Sequence, residues 1–87
     1  FKLKAHSGSI QTVAFSPSGK QIASAGADMK IKIWGTSTGQ LLHTFSAHTG
    51  LIYSLSFNPK YPKYLASGSE DQTIRVWDVS IAKPVRL

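Results

Sequence analysis

The chain has 87 residues, with ten Lys and Arg against four Asp and Glu, three His and no Cys, giving a formal net charge of +6. That length holds one small domain at most, and the lack of cysteine excludes a disulfide framework, a thiolate metal site and a cysteine nucleophile. At 41% apolar and 16% charged residues the chain reads as globular; its apolar runs of two or three residues give no membrane span, and none follows Phe1-Lys2-Leu3-Lys4 to make a signal peptide.

After Ala5-His6-Ser7-Gly8, the apolar residues Ile10, Val13 and Phe15 are spaced by three and then two. Plain alternation would give two and two, so the spacing predicts a strand with a β-bulge near its start. Ser16-Pro17-Ser18-Gly19 reads as a turn. A second strand over Ile22-Ala23-Ser24-Ala25 is poor in bulk and suits close backbone packing. Past the turn at Ala27-Asp28-Met29, Lys30-Ile31-Lys32-Ile33-Trp34 alternates charged and apolar side chains at period two. Thr36-Ser37-Thr38-Gly39 turns the chain into a fourth strand from Leu41 to Phe45.

The same series then begins again. Ala47-His48-Thr49-Gly50 repeats the opening at an offset of 42 residues, and Ile52, Leu55 and Phe57 repeat the bulged spacing. Beyond the first turn the offset is 43, carrying Ala23-Ser24, Asp28, Ile31 and Trp34 onto Ala66-Ser67, Asp71, Ile74 and Trp77. The extra residue lies in Lys60-Tyr61-Pro62-Lys63, a surface turn by composition. Leu65-Ala66-Ser67-Gly68 and Thr73-Ile74-Arg75-Val76-Trp77 match the second and third strands. No window has a 3.6-residue period, so the fold class is all-β, one four-stranded unit written twice.

These residues together resemble the WD-repeat β-propeller family, over nearly the whole chain. Ser67-Gly68-Ser69-Glu70-Asp71 and Trp77-Asp78 match the family's Ser-Gly-Ser-x-Asp turn and its Trp-Asp pair. The first copy departs from that pattern at Ala25-Gly26 and Trp34-Gly35, and both copies carry Ala where the family has Gly before His. The resemblance implies two four-stranded antiparallel blades, over 5–46 and 47–87. It also implies a buried hydrogen-bonded chain in each, His6, Ser24, Asp28 and Trp34 in the first and His48, Ser67, Asp71 and Trp77 in the second. Physically such a set is coherent: the carboxylate accepts from imidazole while Ser bridges toward the indole N–H. Partner-contact positions carried over from the family's top surface are Ser9, Gln11 and Ala27, then Leu51, Tyr53 and Glu70. The second trio is the more suggestive, suited to a basic or apolar side chain.

A His, Ser and Asp cluster also fits a hydrolase, but these serines sit in small-residue strands without a nucleophile-elbow pattern. The set occurs twice at one phase, which repetition explains and a single active site does not. His6, His43 and His48 lack a metal-ligand spacing, and the glycines are scattered among turns, not gathered in a phosphate loop. The expectation is no enzyme, no cofactor and no metal. Lys20, Lys60, Lys63 and Lys83 fall in the turns of one side, Asp28, Glu70 and Asp71 in those of the other, and Lys30, Lys32 and Arg75 point to solvent from the third strands. A solvated basic face is the simpler reading; nucleic acid would use Tyr61 and Tyr64 beside Lys60 and Lys63.

Two blades alone leave two apolar faces open. Joined end to end, Pro84-Val85-Arg86-Leu87-Phe1-Lys2-Leu3-Lys4-Ala5-His6 lines up with Gly39 through His48. The expectation is therefore a non-catalytic protein-binding scaffold that assembles head to tail, three or four chains closing a ring, with residues 1–4 of a neighbouring copy completing the outer strand of the second blade. The competing expectation is a two-blade fragment of a larger WD-repeat protein, binding an acidic partner or nucleic acid through its basic face. No membrane partner is expected, and either alternative goes with a cytoplasmic or nuclear location.

Overall fold

The computed structural model describes residues 6, 8–81 and 83–85. Strands β1 (Ile10–Phe15), β2 (Gln21–Gly26), β3 (Lys30–Gly35) and β4 (Leu41–Ser46) form one antiparallel sheet in chain order. A second antiparallel sheet follows the same order with β5 (Ile52–Phe57), β6 (Tyr64–Ser69), β7 (Ile74–Asp78) and β8 (Lys83–Pro84). Among the described residues no helix is long and apolar enough to cross a membrane.

The register shifts between Ile10 and Thr12 and again between Ile52 and Ser54, where the spacing of apolar residues predicts a bulge. The β1–β2 turn closes with the Gly19 N–H donating to the Ser16 carbonyl at 2.8 Å, and Gly19 takes a φ of 73°. Gly26 has a different reason to be glycine: a Cβ there would lie 2.1 Å from the Ser9 carbonyl oxygen. The β2–β3 and β6–β7 turns share one conformation, with Met29 at φ 65° and Gln72 at φ 72°. Neither residue type favours that left-handed region, so both turns store some strain.

Alternation along each strand sorts the side chains onto two faces. Ala23, Ala25, Ile31, Ile33 and Phe45 of the first sheet form one buried cluster with Ile52, Leu55, Phe57, Leu65 and Trp77 of the second. Phe45 meets Trp77 across this interface with ring centroids 4.9 Å apart and planes tilted by 42°. The opposite faces are open. Ile10, Val13 and Phe15 are 48%, 54% and 63% exposed, whereas their repeat equivalents Ile52, Leu55 and Phe57 are 0%, 8% and 8% exposed. On the far side of the second sheet Ile74 is 78% exposed, whereas its equivalent Ile31 is 0% exposed.

At the outer edge Trp77 pairs with Pro84 as Trp34 pairs with Leu41. Pro84 thus occupies the place of Leu41, two residues from the alignment with Gly39 expected from the sequence. Lys83 correspondingly lies on β8, paired with Asp78, not in the preceding turn. The next residue continues the edge, its N–H (Val85) donating to the Val76 carbonyl at 2.7 Å. The expected exchange of residues 1–4 lies outside the described residues.

Candidate functional site

Each sheet carries a polar cluster beneath its top edge. In the first, His6 Nδ1 lies 2.8 Å from Asp28 Oδ2 and His6 Nε2 lies 2.8 Å from Ser24 Oγ, while Trp34 Nε1 donates to Ser24 Oγ at 3.0 Å. In the second, the matching distances are 2.9 Å for His48 to Asp71, 2.7 Å for His48 to Ser67 and 2.9 Å for Trp77 to Ser67. One proton arrangement satisfies every atom: indole N–H to Ser oxygen, Ser O–H to Nε2, and Nδ1–H to carboxylate. Among the described residues no buried side-chain nitrogen or oxygen lacks a hydrogen-bond partner. Ser24 and Ser67 are buried.

Among the described residues the two clusters differ at the place of Thr73. Thr73 donates both its hydroxyl and its N–H to Asp71 Oδ1, and the Thr49 N–H donates to Oδ2 at 3.1 Å. The Thr73 hydroxyl is the largest cause holding the Asp71 carboxyl well below the usual carboxylate range; burial opposes it, and Thr49 and His48 assist. Lys30 stands at the matching place in the first copy and offers Asp28 its backbone N–H, at 3.2 Å. Sequence reasoning missed Thr73 and Thr49. The signal was a Thr two residues after the turn Asp, present in one copy and replaced by Lys in the other.

At the top edge the structure brings Ser9, Gln11 and Ala27 together: Gln11 Nε2 donates to Ser9 Oγ at 3.0 Å and the Ala27 N–H to the Ser9 carbonyl at 3.0 Å. Leu51 and Glu70 bond reciprocally, the Glu70 N–H to the Leu51 carbonyl at 3.0 Å and the Leu51 N–H to Glu70 Oε1 at 3.3 Å. Tyr53 is exposed and lines a groove of about 320 Å³ with Ser54, Ala66, Gly68 and Ile74 on the open side of the second sheet. It therefore borders the open sheet face as well as the top edge.

On the opposite edge, Lys20 precedes β2, while Lys60 and Lys63 lie in the loop between β5 and β6. Asn58 shapes that loop by accepting from the N–H groups of Lys60 at 2.9 Å and Tyr61 at 3.1 Å. Lys60 Nζ lies 5.5 Å from the centre of the Tyr61 ring and Lys63 Nζ 5.2 Å from that of Tyr64. Among the described residues the ion pairs are the two His–Asp pairs, so none of these lysines makes a salt bridge there. Asp78 is the one acid on this edge. Its carboxyl is held below the usual range, first by the Ser80 hydroxyl, then against burial by the Ser80 N–H and the Lys63 charge. Among the described residues no group of three His, Cys, Asp or Glu is placed to hold a metal ion.

The model of the WD domain, G-beta repeat, matches residues 1–35 and 39–78. The periodic tryptophan protein 2 homolog of Schizosaccharomyces pombe is 44% identical over 68 residues, spanning 77% of this chain and 8% of that protein. The nuclear distribution protein PAC1 of Arthroderma benhamiae is 34% identical over 90 residues, spanning 94% of this chain and 19% of that protein. Mouse (Mus musculus) WD repeat-containing protein 1 is 38% identical over 84 residues, spanning 93% and 14% respectively. Among solved structures, that of U3-55K superimposes with a TM-score of 0.90 at 26% identity, over 97% of this chain and 27% of that one. The chain thus spans less than a fifth of the length of each of the three named sequence relatives and about a quarter of the U3-55K chain.

Proposed function

The chain belongs to the WD40-repeat family, and from that premise we propose that it is a non-catalytic scaffold, two blades of a closed propeller that docks other proteins on its top edge. The observation that carries this reading is the pair of open faces. Each is the repeat equivalent of a face buried at the one interface the chain makes with itself: Ile10, Val13 and Phe15 match Ile52, Leu55 and Phe57, and Ile74 matches Ile31. What covers them is therefore another blade of the same kind. A second copy joined head to tail offers such a blade, and three or four copies reach a six- or eight-bladed ring. The clusters around His6 and His48 serve to lock each β2–β3 and β6–β7 turn to its sheet, leaving the top edge rigid.

Ser9, Gln11 and Ala27 on the first blade, with Leu51, Tyr53 and Glu70 on the second, form the docking surface. An exposed Tyr and a carboxylate on the same blade suit an Arg- or Lys-bearing segment. A peptide selection by display against the chain tests this: binders lose affinity with Tyr53→Ala and Glu70→Lys. Binders that tolerate both substitutions overturn the assignment of this edge.

A second reading follows from the small share of each relative that the chain spans. The missing blades then belong to one longer polypeptide, and the basic edge meets an acidic partner or nucleic acid. Polydisperse association of the chain, in place of a discrete ring, favours that reading. Both readings go with a protein that works inside the cell.

A further inference from the structure

Between the two blades, on the basic edge, lies a groove of about 280 Å³. Ser16, Ser18, Lys20 and Gln21 line it from the first blade, and Lys63 and Ser80 from the second. Its walls are fixed from both sides. Ser16 Oγ accepts from the Gln21 N–H at 3.1 Å, Ser18 Oγ accepts from the Lys20 N–H at 3.3 Å, and the Val79 N–H donates to the Lys63 carbonyl at 2.8 Å. Tyr64 beneath the Lys63 ammonium restricts where that charge sits.

From this placement we infer that the groove binds a phosphomonoester dianion carried on a partner's side chain, with Lys20 and Lys63 closing on it from opposite blades and Ser18 and Gln21 donating to its oxygens. Charge decides the sign of the ligand. Three of the four acids lie on the far edge; Asp78, the fourth, accepts from the N–H and hydroxyl of groove-lining Ser80, feels the charge of Lys63, and has Lys83 as its backbone register partner. The local balance of Lys20, Lys63 and Lys83 against Asp78 is positive. Confinement decides the valence. A phosphomonoester brings a charge of about −1.5 to −2 and three acceptor oxygens to one point, which suits two ammonium groups and neutral donors in a single groove. A nucleic-acid backbone spreads single charges along a track, and here the next cations, Lys60 and Lys83, sit beside Tyr61 and Asp78. The inference does not depend on how the ring closes, nor on what the top edge binds.

The test is an amide-resonance titration of the whole chain with O-phosphoserine, with serine and a single-stranded oligouridylate as parallel probes. Saturable shifts at Gln21, Lys63 and Ser80 with phosphoserine and none with serine are expected, weakened at least about tenfold by Lys20→Ala with Lys63→Ala. Lys30→Ala with Lys32→Ala, which leaves the groove intact, is expected to change nothing. The spectrum of each variant reports that it is folded. Linear, unsaturable shifts overturn the inference, as does binding that survives the Lys20 and Lys63 substitutions. Tighter binding of the oligouridylate, with shifts spreading to Lys60, Tyr61 and Lys83, overturns it in favour of nucleic acid.

Discussion

Ile10, Val13 and Phe15 on β1 have the same spacing and the same chemistry as Ile52, Leu55 and Phe57 on β5, yet the first trio lies open and the second is buried. Nothing local distinguishes them. Both strands are bulged after their first residue, and both pair with a small-residue strand. What differs is what each face meets: Ile52, Leu55 and Phe57 enter the cluster shared with the first sheet, whereas β1 turns only its Ala14 side to that cluster and leaves Ile10, Val13 and Phe15 on the open face. Burial in a repeat fold is thus a property of the array, and a blade's hydrophobic pattern describes the blade it expects beside it.

Substitutions at paired positions test this directly. Ile52→Ala is expected to cost about 2–5 kcal/mol in urea unfolding, because it empties a closed site. Its partner Ile10→Ala is expected to cost under about 1 kcal/mol when copies are dissociated by dilution, with the difference shrinking at high concentration as the open face becomes covered. Equal costs at every dilution would mean that the β1 face is covered within a single chain.

The next largest effect concerns the polar clusters. Ser67→Ala leaves the Trp77 indole N–H and the His48 Nε2 without partners and is expected to cost about 1–3 kcal/mol by the same measurement. Asp71→Ala is expected to lower the melting temperature more than Asp28→Ala, because it also strips the partner of the Thr73 hydroxyl, where the first copy has Lys30. Equal effects would make Thr73 irrelevant.

Acid sharpens the same contrast. Asp71 has its folded carboxyl depressed below the ordinary value of 3.8, so the stability it confers is complete above that value and is lost as pH falls toward the folded one. Thr73→Val removes the largest cause of the depression and is expected to flatten the fall in urea midpoint between about pH 5 and about pH 2. An unchanged slope would place the acid sensitivity elsewhere. The smallest effect lies in the paired turns: Met29→Asn and Gln72→Asn are each expected to gain about 0.5 kcal/mol by easing a positive φ. Matching gains in both copies would show that the two turns carry the same strain.

Much of the fold was legible because contacts within a blade follow sequence period. Spacings of three and two gave the bulges, the recurrence at Trp34 and Trp77 gave the two sheets, and the His, Ser, Asp and Trp sets came from the resemblance to WD repeats rather than from the period. What escaped depends on contacts the period does not encode. Thr73 reads as an ordinary strand residue until its hydroxyl is seen on Asp71. The place of Pro84 depends on ladder pairing with Trp77, which neither turn composition nor end-to-end alignment reveals. The groove between Ser18, Lys20 and Lys63 arises where two blades meet, from turns far apart in the chain, so listing its lysines as a basic side could not show which of them face one another.

The solution mass of the chain and of its Phe15→Asp variant, by light scattering after size exclusion, bears most directly on the open faces as blade-to-blade interfaces. Wild type is expected to run as a discrete assembly of three or four copies, and Phe15→Asp, with a charge on the β1 face, as dissociated chains. A wild-type chain that is folded and monomeric, or an assembly that the substitution leaves intact, would contradict it.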